Sequence, residues 1–148
     1  MTGYVQINIK NMVDTLGEDR AKSILSTFSC PLNKDVEEFL KTKAIEFSKQ
    51  DIARTVLVLA SYKKDYVIVG YYTICHKSFN INPNVLSSNL KKRTKKFAQY
   101  IKEIGKYQIV APLIAQLGKN YYNKYNKLIT GDELLKMACE KIREYSTT

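Results

Sequence analysis

Gln108-Ile109-Val110-Ala111-Pro112-Leu113-Ile114-Ala115-Gln116-Leu117-Gly118-Lys119-Asn120, followed beyond a loop by Lys127-Leu128-Ile129-Thr130-Gly131-Asp132-Glu133-Leu134-Leu135, decides how this chain is read. The first run is apolar and partly β-branched, which predicts a strand over Tyr107 to Leu117. Pro112 removes one ladder donor, so an edge position or a bulge is expected there. A loop rich in Tyr, Asn and Lys then leads to Thr130-Gly131 at the start of an amphipathic helix, Gly131 to Tyr145, with Leu134, Leu135, Ala138 and Ile142 inward. Strand, basic loop and helix N-terminus form a place for phosphates, because free backbone N–H groups and the positive end of the helix dipole meet there.

Working outward, Asn33 to Lys49 reads as one helix. Val36, Phe39, Leu40, Ala44 and Phe47 share a face, and Asn33 stands as N-cap ahead of Asp35, Glu37 and Glu38. Arg54 to Tyr62 and Tyr66 to Cys75 are β-branched, aromatic runs around Lys63-Lys64-Asp65, the pattern of a hairpin with both strands largely buried. Ser87 to Ile104 has helical spacing, with Leu86, Leu90, Phe97, Ile101 and Ile104 inward and Gly105 as its stop. A short strand over Val5 to Ile9 and a helix over Asp19 to Phe28 complete the pattern. The expected class is α+β, an antiparallel sheet flanked by helices in a single domain over residues 1–148.

The formal charge of +10 is unevenly placed. Lys91, Lys92, Arg93, Lys95, Lys96, Lys102, Lys106, Lys119, Lys124 and Lys127 face one acid, Glu103, so residues 91–127 carry nearly all of it. Such a field favours a polyanionic partner; a solvated basic face is the alternative. No apolar run approaches the roughly 20 residues of a membrane span. Cys30, Cys75 and Cys139 are far apart and lack metal-ligand spacing, which reads as buried thiols in a reduced, cytoplasmic protein without a metal site.

In this order the residues resemble the GNAT acetyltransferases, in particular the toxin-like branch of bacterial chromosomes, phages and mobile elements. Three blocks carry the resemblance: Cys30-Pro31-Leu32-Asn33 through Ala53-Arg54-Thr55, Val67-Ile68-Val69-Gly70-Tyr71-Tyr72-Thr73-Ile74, and the Leu113 to Leu135 segment. The resemblance implies that the backbone of Leu117, Gly118, Lys119 and Asn120 holds the pantetheine arm of acetyl-CoA. It also implies a pyrophosphate loop at Lys124, Asn126, Lys127, Leu128, Ile129, Thr130, Gly131 and Asp132. The family pattern there is Gln/Arg, two residues, Gly, one residue, Gly/Ala. Gly131 keeps its last glycine, while Ile129 and Asn126 replace the first glycine and the Gln/Arg.

Against a ligand-binding role, Thr130-Gly131-Asp132-Glu133 is also a capping box, sufficient to start a helix unaided. Family members continue into further strands and a helix with a catalytic tyrosine. The expectation is therefore a shortened GNAT-like fold lacking the C-terminal strands, whose exposed edge is covered in a homodimer. No catalytic residue is assigned. His76, Glu46, Glu103 or a backbone-held water would serve as base. Tyr121, Tyr122 and Tyr125, interleaved with lysines, suit phosphates and stacked bases, or a packed loop.

Two functions compete. One is acetyl-CoA-dependent N-acetylation of an unknown amine, with a protein or a charged tRNA as polyanionic acceptor. The other is a non-catalytic module of the same fold whose basic face binds nucleic acid or an acidic protein.

Overall fold

A computed structural model describes residues 3–146, with the backbone path alone for residues 93–97 and 146. The side chains of Arg93, Lys95, Lys96 and Phe97 therefore lie outside the described residues. The elements are β1 (Tyr4–Asn8), α1 (Ile9–Leu16), α2 (Glu18–Leu25), α3 (Lys34–Thr42), α4 (Ala44–Lys49), β2 (Ala53–Tyr62), β3 (Asp65–Ile81), α5 (Ser88–Phe97), β4 (Gln99–Ile101), β5 (Lys106–Lys119) and α6 (Gly131–Ser146). Strand order is β1-β2-β3-β5-β4, and β1–β2, β2–β3 and β4–β5 pair antiparallel. The chain divides into one compact unit of Met1–Cys75 with Ile114–Thr148, and a second of His76–Leu113.

The first unit has a core on each face of its sheet. On one face Leu57, Ile68 and Tyr71 pack with Ile9, Leu25, Phe28, Val36 and Leu40 from α1 to α4 and their connections. On the other, Val56, Val58, Val69 and Tyr72 pack with Leu134, Met137 and Ala138 of α6. Strict alternation would not put Ile68 and Tyr71 on one face. The register explains it: Val58 faces Gly70 and Leu59 faces Ile68, so Val69 is an extra residue in β3.

That bulge is answered by Asn120, just past β5. Its backbone N–H donates to the Val69 carbonyl at 2.8 Å, and its Nδ2 donates to the Ile68 carbonyl at 2.8 Å. Its Oδ1 accepts from the Ser29 and Tyr122 amides, each at 3.0 Å. The residue is 2% exposed. A little earlier, Gly118 is demanded by packing, since a Cβ there would overlap the Val36 side chain of α3.

The β2–β3 hairpin closes on Lys63 and Lys64, at φ 50° and 71°, a two-residue turn whose positive dihedrals match the strand twist. Asn33 caps α3 through its Oδ1, which accepts from the Val36 amide. The helix expected over Asn33 to Lys49 breaks at Lys43 into α3 and α4, with Phe39 and Phe47 edge-to-face at 5.6 Å across the break. The helix expected over Asp19 to Phe28 ends at Leu25.

The second unit corrects a larger expectation. The helix predicted over Ser87 to Ile104 stops at Phe97, and Gln99–Ile101 pairs with Lys106–Gln108 as a hairpin. Gly105, at φ 65°, closes that hairpin rather than ending a helix. Apolar residues at 97, 101 and 104 suit a helical face, but Tyr100 and Tyr107 stack edge-to-face across the strands at 5.2 Å, which favours the sheet. Leu90 and Ile104 are exposed rather than inward. On α6, Leu134, Met137 and Ala138 form the buried face, which leaves Leu135 a third of a turn away and 44% exposed.

Replacing Asn120 with Ala strands the buried Ile68 carbonyl, at about 1–3 kcal/mol, and frees the part-buried Ser29 and Tyr122 amides at a smaller cost. Urea unfolding of Asn120→Ala should show a loss of about 2–3 kcal/mol at unchanged m. A loss under about 1 kcal/mol would contradict the role given to this side chain.

Candidate functional site

The sequence-predicted site residues gather at one end of the first unit. β5 pairs with β4 only over Lys106 to Gln108, so towards Lys119 its outer side has no strand partner among the described residues. Pro112 lies in this one-sided stretch, where a missing donor costs no ladder bond on that side. Ile114 and Leu117 both pack on the α6 face, although three residues apart. The alternation of β5 therefore breaks at Ala115-Gln116, and an irregular strand re-aims side chains and backbone groups.

Beyond β5, Asn120 is fully engaged as an internal tie. The loop then makes a short helical turn, Tyr122–Leu128, interrupted by Asn123 and Lys124 at φ 54° and 63°. Tyr125 stacks edge-to-face on Tyr62 at 5.5 Å and on Tyr122 at 6.0 Å, so the tyrosines are mostly packed and Tyr122 is the exposed one. Lys124 and Lys127 are exposed, and Lys119 and Asn126 are half-buried.

Ile129, which stands where the resembling family has glycine, is 3% exposed in the α6-side core. Its backbone is extended, φ −146° and ψ 146°, so the position needs no glycine here. Leu128 is half-buried beside it, and its carbonyl accepts from the Tyr4 hydroxyl at 2.8 Å. The capping box is present: the Glu133 amide donates to Thr130 Oγ1 at 3.0 Å, and the Thr130 amide donates to Glu133 Oε1 at 2.9 Å. A Cβ at Gly131 would meet nothing within 4 Å, so the helix mouth is open. Asp132 and Glu133 in the first turn offset part of the positive helix end.

The other candidates for chemistry belong to different elements. His76 is exposed and belongs to the second unit, as does Glu103. Glu46 pairs with Lys49 and accepts from Gln50. Cys30 is buried, which pushes its thiol pKa up, whereas Cys75 and Cys139 are half-buried. No group of residues suited to a metal ion occurs among the described residues. No helix there is long and apolar enough to cross a membrane.

Neither a family model nor a curated protein matches this sequence. Solved structures do match in three dimensions. A tyrosine-to-phenylalanine variant of KacT superposes with a TM-score of 0.62 over 99% of this chain and 73% of its own, at 14% identity. AtaT complexed with acetyl-methionyl-tRNAfMet gives 0.62 over 98% of this chain and 72% of its own, at 18% identity. AtaTR bound with acetyl-CoA gives 0.57 over 99% and 69%, at 16% identity. The chain has the GNAT fold.

Within that fold, β5 and the start of α6 lie where alternation and the capping box put them, but the edge expected to be exposed from Tyr107 onwards is covered by β4 at residues 106–108. Two features were missed. One is the packing of Ile129, which an apolar residue next to Leu128 already hinted at. The other is the inward role of Asn120, for which no local pattern exists.

The capping box has a pH signature. Hydrogen bonds from the Thr130 amide and hydroxyl hold the Glu133 carboxyl below the usual carboxylate range. A lowered folded-state pKa stabilises above the unfolded value and is lost as pH falls through the folded one. Glu133→Gln should therefore be less stable than the native chain at neutral pH, and the gap should close in acid. A gap that is constant from neutral pH to strong acid would exclude this assignment.

Proposed function

We propose that this chain binds acyl-CoA along the outer edge of β5 and the mouth of α6, and transfers the acyl group to an amine. The unpaired side of β5 leading to the open Gly131 carries the proposal. A strand edge offers main-chain hydrogen bonds to an extended arm, and a helix N-terminus offers amides to phosphate. The residues fit such a ligand: Leu117, Gly118 and Lys119 provide the edge, and Thr130, Gly131 and Asp132 the amides. Lys119, Lys124 and Lys127 offset Asp132 and Glu133. Acetyl-CoA supplies an activated thioester. The chain's part is to hold it beside an amine, so that the new C–N bond forms as the C–S bond breaks. The likeness to AtaTR bound with acetyl-CoA supports this reading at the level of fold.

A polyanionic acceptor such as tRNA fits Lys91, Lys92, Lys102 and Lys106 of the second unit, and AtaT was captured with acetyl-methionyl-tRNAfMet. Two observations favour a non-catalytic module instead: carboxylates at the helix mouth and a buried isoleucine where the family keeps glycine both weaken phosphate binding.

Thermal melting separates the two readings. CoA at a hundredfold excess over its dissociation constant stabilises by about 2.7 kcal/mol, several degrees for a domain of this size. Gly131→Asp should fold normally, because its Cβ enters open space and an acid suits the first helical turn, yet lose the shift. If millimolar CoA leaves the native chain's melting unchanged, the acyl-transfer reading falls.

A further inference from the structure

One side chain of β1 reaches the mouth of α6 from the far side of the sheet. Tyr4 pairs in register with Ala60 of β2, and its ring packs against the α6-side core. Its hydroxyl donates to the Leu128 carbonyl at 2.8 Å and to Glu133 Oε2 at 3.1 Å. A phenol has one proton, so the two acceptors share it. Burial pushes the Tyr4 phenol pKa up, with a further rise from Glu133, which keeps that proton in place.

Glu133 is thereby held at both oxygens, Oε1 by the Thr130 amide at 2.9 Å and Oε2 by Tyr4. The Thr130 amide is spent on this carboxylate. The amides of Gly131 and Asp132 have no acceptor among the described residues, so they are the donors open at the mouth. The tie also draws the Glu133 charge to the β1 side of α6. With β2 and β3 between them, β1 lies three strand spacings, roughly 14 Å, from β5. Asp132, the other acid of the first turn, is exposed, and its side chain makes no hydrogen bond or ion pair among the described residues.

We propose that Tyr4 is a positioning residue for the phosphate end of the ligand. It parks the Glu133 carboxylate on the β1 side of the helix mouth, so that a pyrophosphate arriving from β5 meets two free amides and one acidic neighbour instead of two. Released, the same carboxylate would swing in the first helical turn, where like charges a few ångströms apart repel. The inference rests on the acyl-CoA reading and deepens it.

Calorimetric titration with CoA at low salt tests it without any turnover. Tyr4→Phe keeps the ring in the core and removes the tie, and should weaken CoA severalfold. The loss should shrink at high salt, because the repulsion is screened. Glu133→Gln removes the charge and should bind CoA at least as well as the native chain. In the double variant the Tyr4 effect should vanish, since no charge is left to park. Glu133→Asp keeps the charge but falls short of Tyr4, and should weaken CoA as Tyr4→Phe does, which secures the test should Tyr4→Phe fold poorly. Equal CoA affinity in the native chain, Tyr4→Phe and Glu133→Asp overturns the inference. An undiminished Tyr4 effect in the Glu133→Gln background also overturns it, and would leave Tyr4 as a packing residue. Either result leaves the acyl-transfer reading standing. If the native chain binds no CoA, inorganic pyrophosphate is the probe, read by the amide resonances of Gly131 and Asp132. A shift that weakens in Tyr4→Phe keeps the inference while the acyl-transfer reading falls. No shift in the native chain or any variant overturns both.

Discussion

The amide of Asn120 is the tie on which the site depends. A bulge at Val69 leaves the carbonyls of Ile68 and Val69 facing the end of β5, inside a sheet with a core on both faces. Buried carbonyls require donors, and Asn120 provides both, one from its side chain and one from its backbone. The same side chain accepts from Ser29 before α3 and from Tyr122 after β5. One residue thus joins the strand end, the loop ahead of α3 and the loop ahead of α6. The Tyr71 hydroxyl, donating to the Val36 carbonyl at 2.5 Å, adds a second tie between β3 and α3.

From that tie the rest follows sterically. Gly118 lets α3 press against β5, and Gly70 lets β3 approach it: a Cβ at Gly70 would lie 2.9 Å from the Gly118 carbonyl oxygen and 3.1 Å from Leu134. Strand and helix are drawn together by the absence of two methyl groups. Towards Lys119, β5 neighbours β3 on one side and has no strand partner on the other among the described residues, and the first residue of α6 has open space where a Cβ would lie. Such an arrangement suits the proposed binding of an extended ligand by backbone groups.

Much of this was legible in the residues. The β2–β3 hairpin, the Asn33 cap, the Thr130–Glu133 box and the β5–loop–α6 order all rest on local rules: alternation, turn chemistry and capping. Errors arose where two periods fit the same residues. Phe97, Ile101 and Ile104 suit a helical face, but the pairing of Tyr100 with Tyr107 across a turn at Gly105 is non-local and invisible to periodicity. Leu135 shows the same limit, because consecutive leucines on a helix cannot share a face and only tertiary packing chooses between them. The ligand role expected of Asn120 came from the family resemblance, which is silent on its internal bonds. Its partners, Ile68 and Ser29, are remote in sequence.

The central claim, that an acyl-CoA arm lies along the open edge of β5 and ends at the α6 mouth, is tested most directly by amide hydrogen exchange with and without acetyl-CoA. The account predicts slowed exchange in two separate stretches, Gln116 to Lys119 and Thr130 to Glu133, with β1 and β2 unchanged. Protection confined to other elements, at a ligand concentration that saturates the melting shift, would place the ligand elsewhere and contradict it.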